Sequence, residues 1–159
     1  MTLDRELRVR KIRNGTVIDH IPAGRSLIVL RILGISGSED NIIAIIINVD
    51  SSRLGKKDIV KIENRELTED EVDLIALIAP TATINIIRDY EVVRKYRVKL
   101  PKKIINILKC TNPTCITNSG EPVKPVFDVI STEPVKIKCV YCWTYLTFDD
   151  IIKQLEEKI

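Results

Sequence analysis

The chain has 159 residues and a mass of 18.1 kDa, enough for one average domain or two small ones, which excludes a barrel or doubly wound enzyme of usual size. With 45% apolar and 30% charged residues it is globular rather than disordered, and 27 isoleucines against two Phe, four Tyr and one Trp make its core branched aliphatic. The net charge of +3 is the small difference between 25 basic and 22 acidic side chains, too weak a global field to argue for nucleic acid, so any basic site has to be local.

Met1 is followed by Asp4, Arg5 and Glu6 rather than by an apolar signal core. The apolar run Ile42 to Ile47 is far shorter than the ~20 residues of a spanning helix. A cytoplasmic protein with reduced thiols and no membrane partner is expected. The basic stretch Arg8 to Arg13 reads as a strand closed by the turn pair Asn14-Gly15, and Thr16 to Ile21 alternates as the next strand, ended by Pro22-Ala23-Gly24. Arg25 to Leu33 spaces Leu27, Ile28, Leu30 and Ile32 as an amphipathic helix, with Gly34 as its stop.

Ile42 to Val49 and Asp58 to Glu63 read as strands, with Asp50 to Lys57 a hairpin-sized loop between them. The second helix has the clearest local grammar: Thr68 as N-cap, Glu71 three residues on to complete a capping box, Leu67 to staple onto Val72, and Pro80 as terminator. Its acids Glu69, Asp70 and Glu71 are accounted for by the helix dipole without invoking a metal or substrate. Thr83 to Ile87 and Glu91 to Leu100 follow as strands. The order β-α-β-β-α-β with an added strand predicts a ferredoxin-like α+β domain over residues 1–100. In that topology the strand 42–49 lies at a sheet edge and is apolar on both faces. A bare edge of this kind aggregates, so we expect it to pair with its own copy in a two-fold dimer unless the chain itself covers it.

This half has no Gly-rich phosphate loop and no nucleophile elbow, and catalysis is poorly supported. Its basic strands, Arg8 to Arg13 and Arg94 to Lys99, are expected to put several cations on one face near His20, Lys61 and Arg88. Two readings stay open: a solvated face balanced by acids, or an anion pocket for a nucleotide's phosphates. His20, the single histidine, reads as a hydrogen-bonded structural residue rather than a metal ligand.

The composition changes near residue 100. All 11 arginines lie between Arg5 and Arg97, all four cysteines between Cys110 and Cys142, and five of seven prolines at or after Pro101. Residues 101–159 form a second unit too small for an aliphatic core alone, which needs a staple. Cys110 and Cys115 form C-x4-C, and after a 23-residue spacer Cys139 and Cys142 form C-x2-C. That spacing brings four thiolates to the corners of a tetrahedron about zinc. Two disulfides are the rival, disfavoured in a reduced cytosol, and iron fits the same spacing. Four protein ligands leave no open coordination position, so the metal reads as structural. Phe148 to Glu157 reads as a last helix, making this a small β-rich zinc-binding domain that ends in a helix. Tyr141 and Trp143 fit either a core or an exposed anchor. This half carries eight lysines against seven acids, which argues against nucleic acid as its partner.

The stretches Gly15 to Gly24, Lys57 to Asn64, Ala79 to Asn85 and Tyr90 to Val93, followed by the four-cysteine pattern, closely resemble the regulatory chains of aspartate carbamoyltransferase over nearly the whole length. The isoleucine content resembles that of an archaeal or thermophile-like member. The resemblance implies non-catalytic subunits that pair through their N-terminal domains, bind CTP or ATP there as feedback effectors of pyrimidine synthesis, and hold catalytic chains through the zinc domain. Carried over by position, Ile12 and Tyr90 would meet the base through backbone groups, with Val17 and Val92 lining its pocket. Asp19 and Lys61 would bind the ribose region, His20 and Lys95 the triphosphate, and Asn85 and Ile87 would complete the site. Arg10 and Lys11 stand where the best-known members have an acidic and a small residue, and Trp143 replaces an acid that members turn toward the catalytic chain.

Overall fold

The computed structural model describes residues 11–157. Its first unit runs β1 (Gly15–Pro22), α1 (Ser26–Ile32), β2 (Ile43–Ser51), β3 (Gly55–Glu63), α2 (Glu69–Ile78), β4 (Thr83–Arg88) and β5 (Glu91–Arg97), its five strands forming one sheet. All strand pairs are antiparallel in the order β2-β3-β1-β4-β5. This is the expected βαββαβ arrangement, with β5 added beyond β4 and β2 at an edge. Alternation along the strands sends Ile18, Val60, Ile62 and Ile84 to one face, where they pack with Val29 and Leu30 of α1 and Ile75 and Ala76 of α2. The opposite face, bearing Val17, Asp19, Ile59, Lys61, Asn85 and Ile87, has no helix over it among the described residues.

Local chemistry fixes the ends of the helices. Gly34, at φ +68°, lets Ile35 N–H reach the Leu30 carbonyl at 2.9 Å and its own N–H reach that of Arg31 at 3.0 Å, the paired bonds of a Schellman end. The Thr68–Glu71 capping box is present at both of its bonds. Gly15 is required for another reason: a Cβ there would stand 2.1 Å from the Ile62 carbonyl oxygen, and its φ is +141°.

Two sequence expectations change. Lys11 to Asn14 form no strand, because Gly15 enters β1 directly and Asn14 caps the β4–β5 turn through Asp89 N–H at 3.2 Å; residues 8–10 of the expected basic strand lie outside the described residues. The expected loop 50–57 shrinks, since β2 and β3 continue to the Ser51–Gly55 pair.

The second sheet follows as β6 (Lys103–Ile105), β7 (Val126–Thr132), β8 (Val135–Cys139) and β9 (Tyr145–Thr147), antiparallel in that order, then α3 (Phe148–Glu157) over the expected residues. Its buried face, with Ile104, Phe127, Ile137 and Leu146, packs on Ile151 and Leu155 of α3. Leu74, Leu77 and Ile78 of α2 belong to this same cluster, and Leu100 touches both cores. The second unit is therefore completed by a helix of the first. No helix among the described residues is long and apolar enough to cross a membrane.

Candidate functional site

The uncovered face of the first sheet holds a cavity of about 350 Å³ lined by Lys11, Ile12, Val17, Asp19, Ile59, Lys61, Asn85, Ile87, Tyr90 and Val92. Eight of the ten residues singled out from the sequence line it, contributed by β1, β3, β4, β5 and the turns beside them. Such a volume is at the small end for organic-ligand pockets, and its wall is mainly apolar with a few convergent polar groups. Asp89 (φ +49°) and Tyr90 (φ +67°) are the two central residues of a tight β4–β5 hairpin, the type I′ geometry usually given to Asn-Gly. A tyrosine in left-handed backbone is costly, and here it sets the ring at the cavity mouth, tied by Tyr90 N–H to the Arg13 carbonyl at 2.9 Å.

His20 and Lys95 do not line the cavity; they lie beside it. His20 sits at the bulge in β1, at φ +57°, with Nδ1 3.1 Å from Thr83 Oγ1 and its carbonyl accepting from Thr81 Oγ1 at 2.8 Å. Lys95 is exposed on β5 opposite Asn85. Burial lowers the His20 pKa, against the pull of Asp19, and the positive charges of Lys57, Arg53 and Lys95 lower it further. These groups form a cationic flank joined to the cavity through Asp19, whose Oδ1 is 2.9 Å from Lys57 Nζ. Of the cations expected on one face, Lys61 and Lys95 lie at or beside the cavity near His20, whereas Arg88 and Arg94 do not. Strand alternation turns Arg88 away to Glu66, at 3.1 Å, and Arg94 lines a separate hollow with Glu66 and Asp73. Sequence reasoning missed Ile59, Lys57 and Arg53. The first two follow from the period-two alternation that exposes Lys61 on the same strand, whereas Arg53 arrives from the β2–β3 hairpin and has no local signal. Arg10 lies outside the described residues.

In the second unit the four cysteine Sγ atoms lie within 4.8 Å of one another, with Cys110 and Cys142 3.5 Å apart and Cys115 and Cys139 3.7 Å apart. All four are free thiols rather than disulfides. Tetrahedral ligation at a metal–sulfur bond of about 2.3 Å needs edges of about 3.8 Å, so the donor set fits a single metal ion. Backbone knuckles hold it: Cys115 N–H bonds to the Asn112 carbonyl at 3.1 Å and Trp143 N–H to that of Cys139 at 3.0 Å. The Gln154 side chain of α3 grips both backbone groups of Lys109, accepting at 2.8 Å and donating at 2.6 Å, and so locks the residue before the first ligand. Burial pushes the Cys110 thiol up to about 12. Trp143 is 68% exposed and Tyr141 47%, which makes both surface residues. Two lysines beside the centre stack on rings, Lys138 over Trp143 at 4.7 Å and Lys136 over Tyr145 at 4.1 Å.

Comparison with known proteins agrees with this two-part layout. Residues 7–99 match the family model described as the aspartate carbamoyltransferase regulatory chain, allosteric domain, and residues 102–152 match its metal binding domain. Among curated proteins named aspartate carbamoyltransferase regulatory chain, that of Korarchaeum cryptofilum is 58% identical over 151 residues (94% of this chain, 96% of that one). The chain from Saccharolobus solfataricus is 58% identical over 150 residues (94% of each), and that from Hyperthermus butylicus 59% over 152 (95% of each). A helix-backed sheet with an open-face cavity, joined to a four-cysteine centre and matched along both halves, makes this chain a member of the aspartate carbamoyltransferase regulatory chain family, whose members regulate rather than catalyse.

Proposed function

We propose that this chain is a cytoplasmic nucleotide sensor: it binds CTP or ATP on the open face of its first sheet and thereby controls catalytic chains of aspartate carbamoyltransferase in pyrimidine biosynthesis. The observation that carries the reading is the convergence of Ile12, Val17, Asp19, Lys61, Asn85, Ile87, Tyr90 and Val92 on one cavity, with His20, Lys57, Arg53 and Lys95 to one side. The apolar walls Val17 and Val92 suit a base, read through the backbone of Ile12 and Tyr90. Asp19 and Lys61 suit a ribose, Asn85 and Ile87 complete the site, and the cationic flank at His20 and Lys95 suits a triphosphate. Residues 1–100 act as the effector module and 101–159 as the module that holds catalytic chains. Zinc is the metal in this reading, since four thiolates in a closed tetrahedron favour it, and its role is structural. The module pairs with its own copy through the edge segment 42–49, where Ile42, just before β2, and Ile45 and Ile47 within it are exposed. A monomeric Ile45→Lys variant on sedimentation is the expected sign of that pairing.

Effector control follows from population shift: a ligand that prefers one of two quaternary states by ~1–3 kcal/mol changes apparent substrate affinity several-fold. Titration calorimetry of CTP and ATP into the full chain tests the site. Lys61→Ala and Lys95→Ala should each weaken both nucleotides by about 1–3 kcal/mol through lost charge-assisted bonds. Unchanged titrations of the variants, or a native chain that takes up neither nucleotide, would refute the assignment.

A further inference from the structure

The cavity and the metal centre lie on different sheets, so occupancy of one reaches the other only through side chains that touch both halves. Arg25 is such a residue, and the logic of its own helix does not explain it. It stands at the N-cap of α1, makes no side-chain capping bond there, and brings a positive charge to the end of a helix where the dipole is unfavourable to cations. Its contacts lie elsewhere. Arg25 Nη1 donates to the Ile78 carbonyl at the end of α2 at 2.5 Å, and its guanidinium carbon lies 4.9 Å from the centre of the Phe148 ring. Phe148 opens α3 directly after β9, and β9 pairs with β8, the strand that ends at Cys139.

The backbone of Arg25 is pinned by β3, a strand that also lines the cavity. Asp58, 0% exposed, makes no ion pair among the described residues. Its Oδ2 accepts N–H bonds from Gly24 at 3.0 Å and Ser26 at 3.2 Å, the residues on either side of Arg25, while Oδ1 accepts from Asn48 of β2 at 3.1 Å. The preceding residue is Lys57, which faces the other side of the sheet and pairs with Asp19 at the cavity wall. One peptide unit of β3 thus carries both the cation that an anionic ligand would draw off Asp19 and the carboxylate that holds the Arg25 turn.

We propose that Arg25 is the positioning residue that couples the cavity to the metal domain. The proposal rests on the nucleotide-sensing reading above and names its route. An anionic ligand competes with Asp19 for Lys57, the Lys57–Asp58 segment of β3 moves, and the Asp58 carboxylate carries that movement through Gly24 and Ser26 to the guanidinium resting on Phe148. The apolar contacts that α2 makes in the second core are non-directional and tolerate sliding, so they join the two halves without specifying their angle. A hydrogen bond and a ring contact made by one planar group do specify it.

The test uses the complex of regulatory and catalytic chains. Substrate half-saturation is measured with and without saturating CTP, alongside CTP binding, for the native chain, Arg25→Met, Arg25→Lys and the control Arg31→Gln. Arg31 also crosses between the halves, to Glu156 at 3.0 Å, but through an exposed pair with no link to Asp58. With a native response of about fivefold or more, Arg25→Met should bring it below about twofold. CTP binding should change by no more than about twofold, as befits a residue that does not touch the cavity. Arg25→Lys, which keeps the charge over Phe148 but not the fork, should recover part of the response, and Arg31→Gln should keep it. A full response in Arg25→Met, a loss explained by weaker CTP binding, or an equal loss in Arg31→Gln overturns the route while leaving nucleotide sensing in place. A native complex that ignores CTP and ATP, with no binding by calorimetry, overturns the sensing reading and this proposal together.

Discussion

Asp58→Asn is the substitution whose cost the structure defines best. The carboxylate is fully buried, and three backbone N–H groups take the place of a cation: two on Oδ2, at 3.0 and 3.2 Å, and one on Oδ1, at 3.1 Å. An asparagine can keep its carbonyl oxygen toward Gly24 and Ser26, but its amide nitrogen then faces the Asn48 N–H, donor against donor. One charged hydrogen bond is lost outright, the part-buried Asn48 N–H loses its acceptor, and the two retained bonds weaken to neutral strength. At about 1.5–3 kcal/mol for a bond to a charged group, with water free to reach the exposed Asn48, the substitution should cost about 2–3 kcal/mol. For a chain of this length that corresponds to a fall in Tm of roughly 4–12 °C. Urea unfolding of native and variant chains, with thermal melts in parallel, measures it. A loss below about 0.5 kcal/mol, the range of an ordinary surface change, would refute the assignment of Asp58 as the anchor of the β1–α1 turn.

His20 gives a prediction in pH. Because burial, with the neighbouring cations, holds its folded-state pKa below the ordinary imidazole value, the unfolded chain takes up this proton first as pH falls. The His20 contribution to stability is therefore complete above about pH 6.5 and declines as pH drops through that value toward the lowered one. A triphosphate beside the ring reverses the preference by favouring imidazolium. CTP binding to the native chain should accordingly take up a proton fraction near pH 6 that His20→Asn lacks, measured by calorimetry in two buffers of different ionisation enthalpy; equal uptake by both chains would refute it. Metal removal gives another. Cys142→Ser, or chelation, should abolish assembly with catalytic chains. It should also lower the melting temperature of the first sheet, because Leu74, Leu77 and Ile78 lose their partners in the second core. A first sheet that melts unchanged after metal loss, followed by near-UV circular dichroism of its tyrosines, would show the cores to be independent.

What could be read from the sequence follows the range over which each signal acts. The capping box at Thr68–Glu71, the Gly34 stop and the C-x4-C and C-x2-C knuckles are decided within a few residues, and each is present in the structure. Asn14-Gly15 misled because a turn pair and a strand start look alike in one dimension. What distinguishes them is the Ile62 carbonyl oxygen that excludes a Cβ at Gly15, and that atom comes from a strand nearly fifty residues away. The cavity residues were reached mostly through family resemblance, since five separate segments supply them and no periodicity links Ile12 to Tyr90. One non-local feature did leave a trace. Leu74 to Ala79 is apolar without a break, and a helix apolar on all sides has two faces to bury. Ile75, Ala76 and Ala79 go to the first core and Leu74, Leu77 and Ile78 to the second.

That division of α2 constrains how any signal leaves the cavity. The cavity lies on the side of the sheet away from the helices, whereas the metal domain packs against the helix layer, so β1, β3 and β4 stand between them. A strand cannot pass a displacement along one face alone, because neighbouring residues point to opposite faces and share a peptide plane. Lys57 and Asp58 are such a pair, and so are Asp19 and Ile18, one at the cavity and the other in the helix-side core. A ligand that moves the cavity-side member of either pair moves its neighbour among the helices by a comparable amount. A close-packed interior absorbs such shifts as rigid movements of whole elements rather than as local compression. The elements next in line are α1 and α2, and the Arg25 guanidinium, bonded to the Ile78 carbonyl and resting on the Phe148 ring, fixes how the metal domain sits on them.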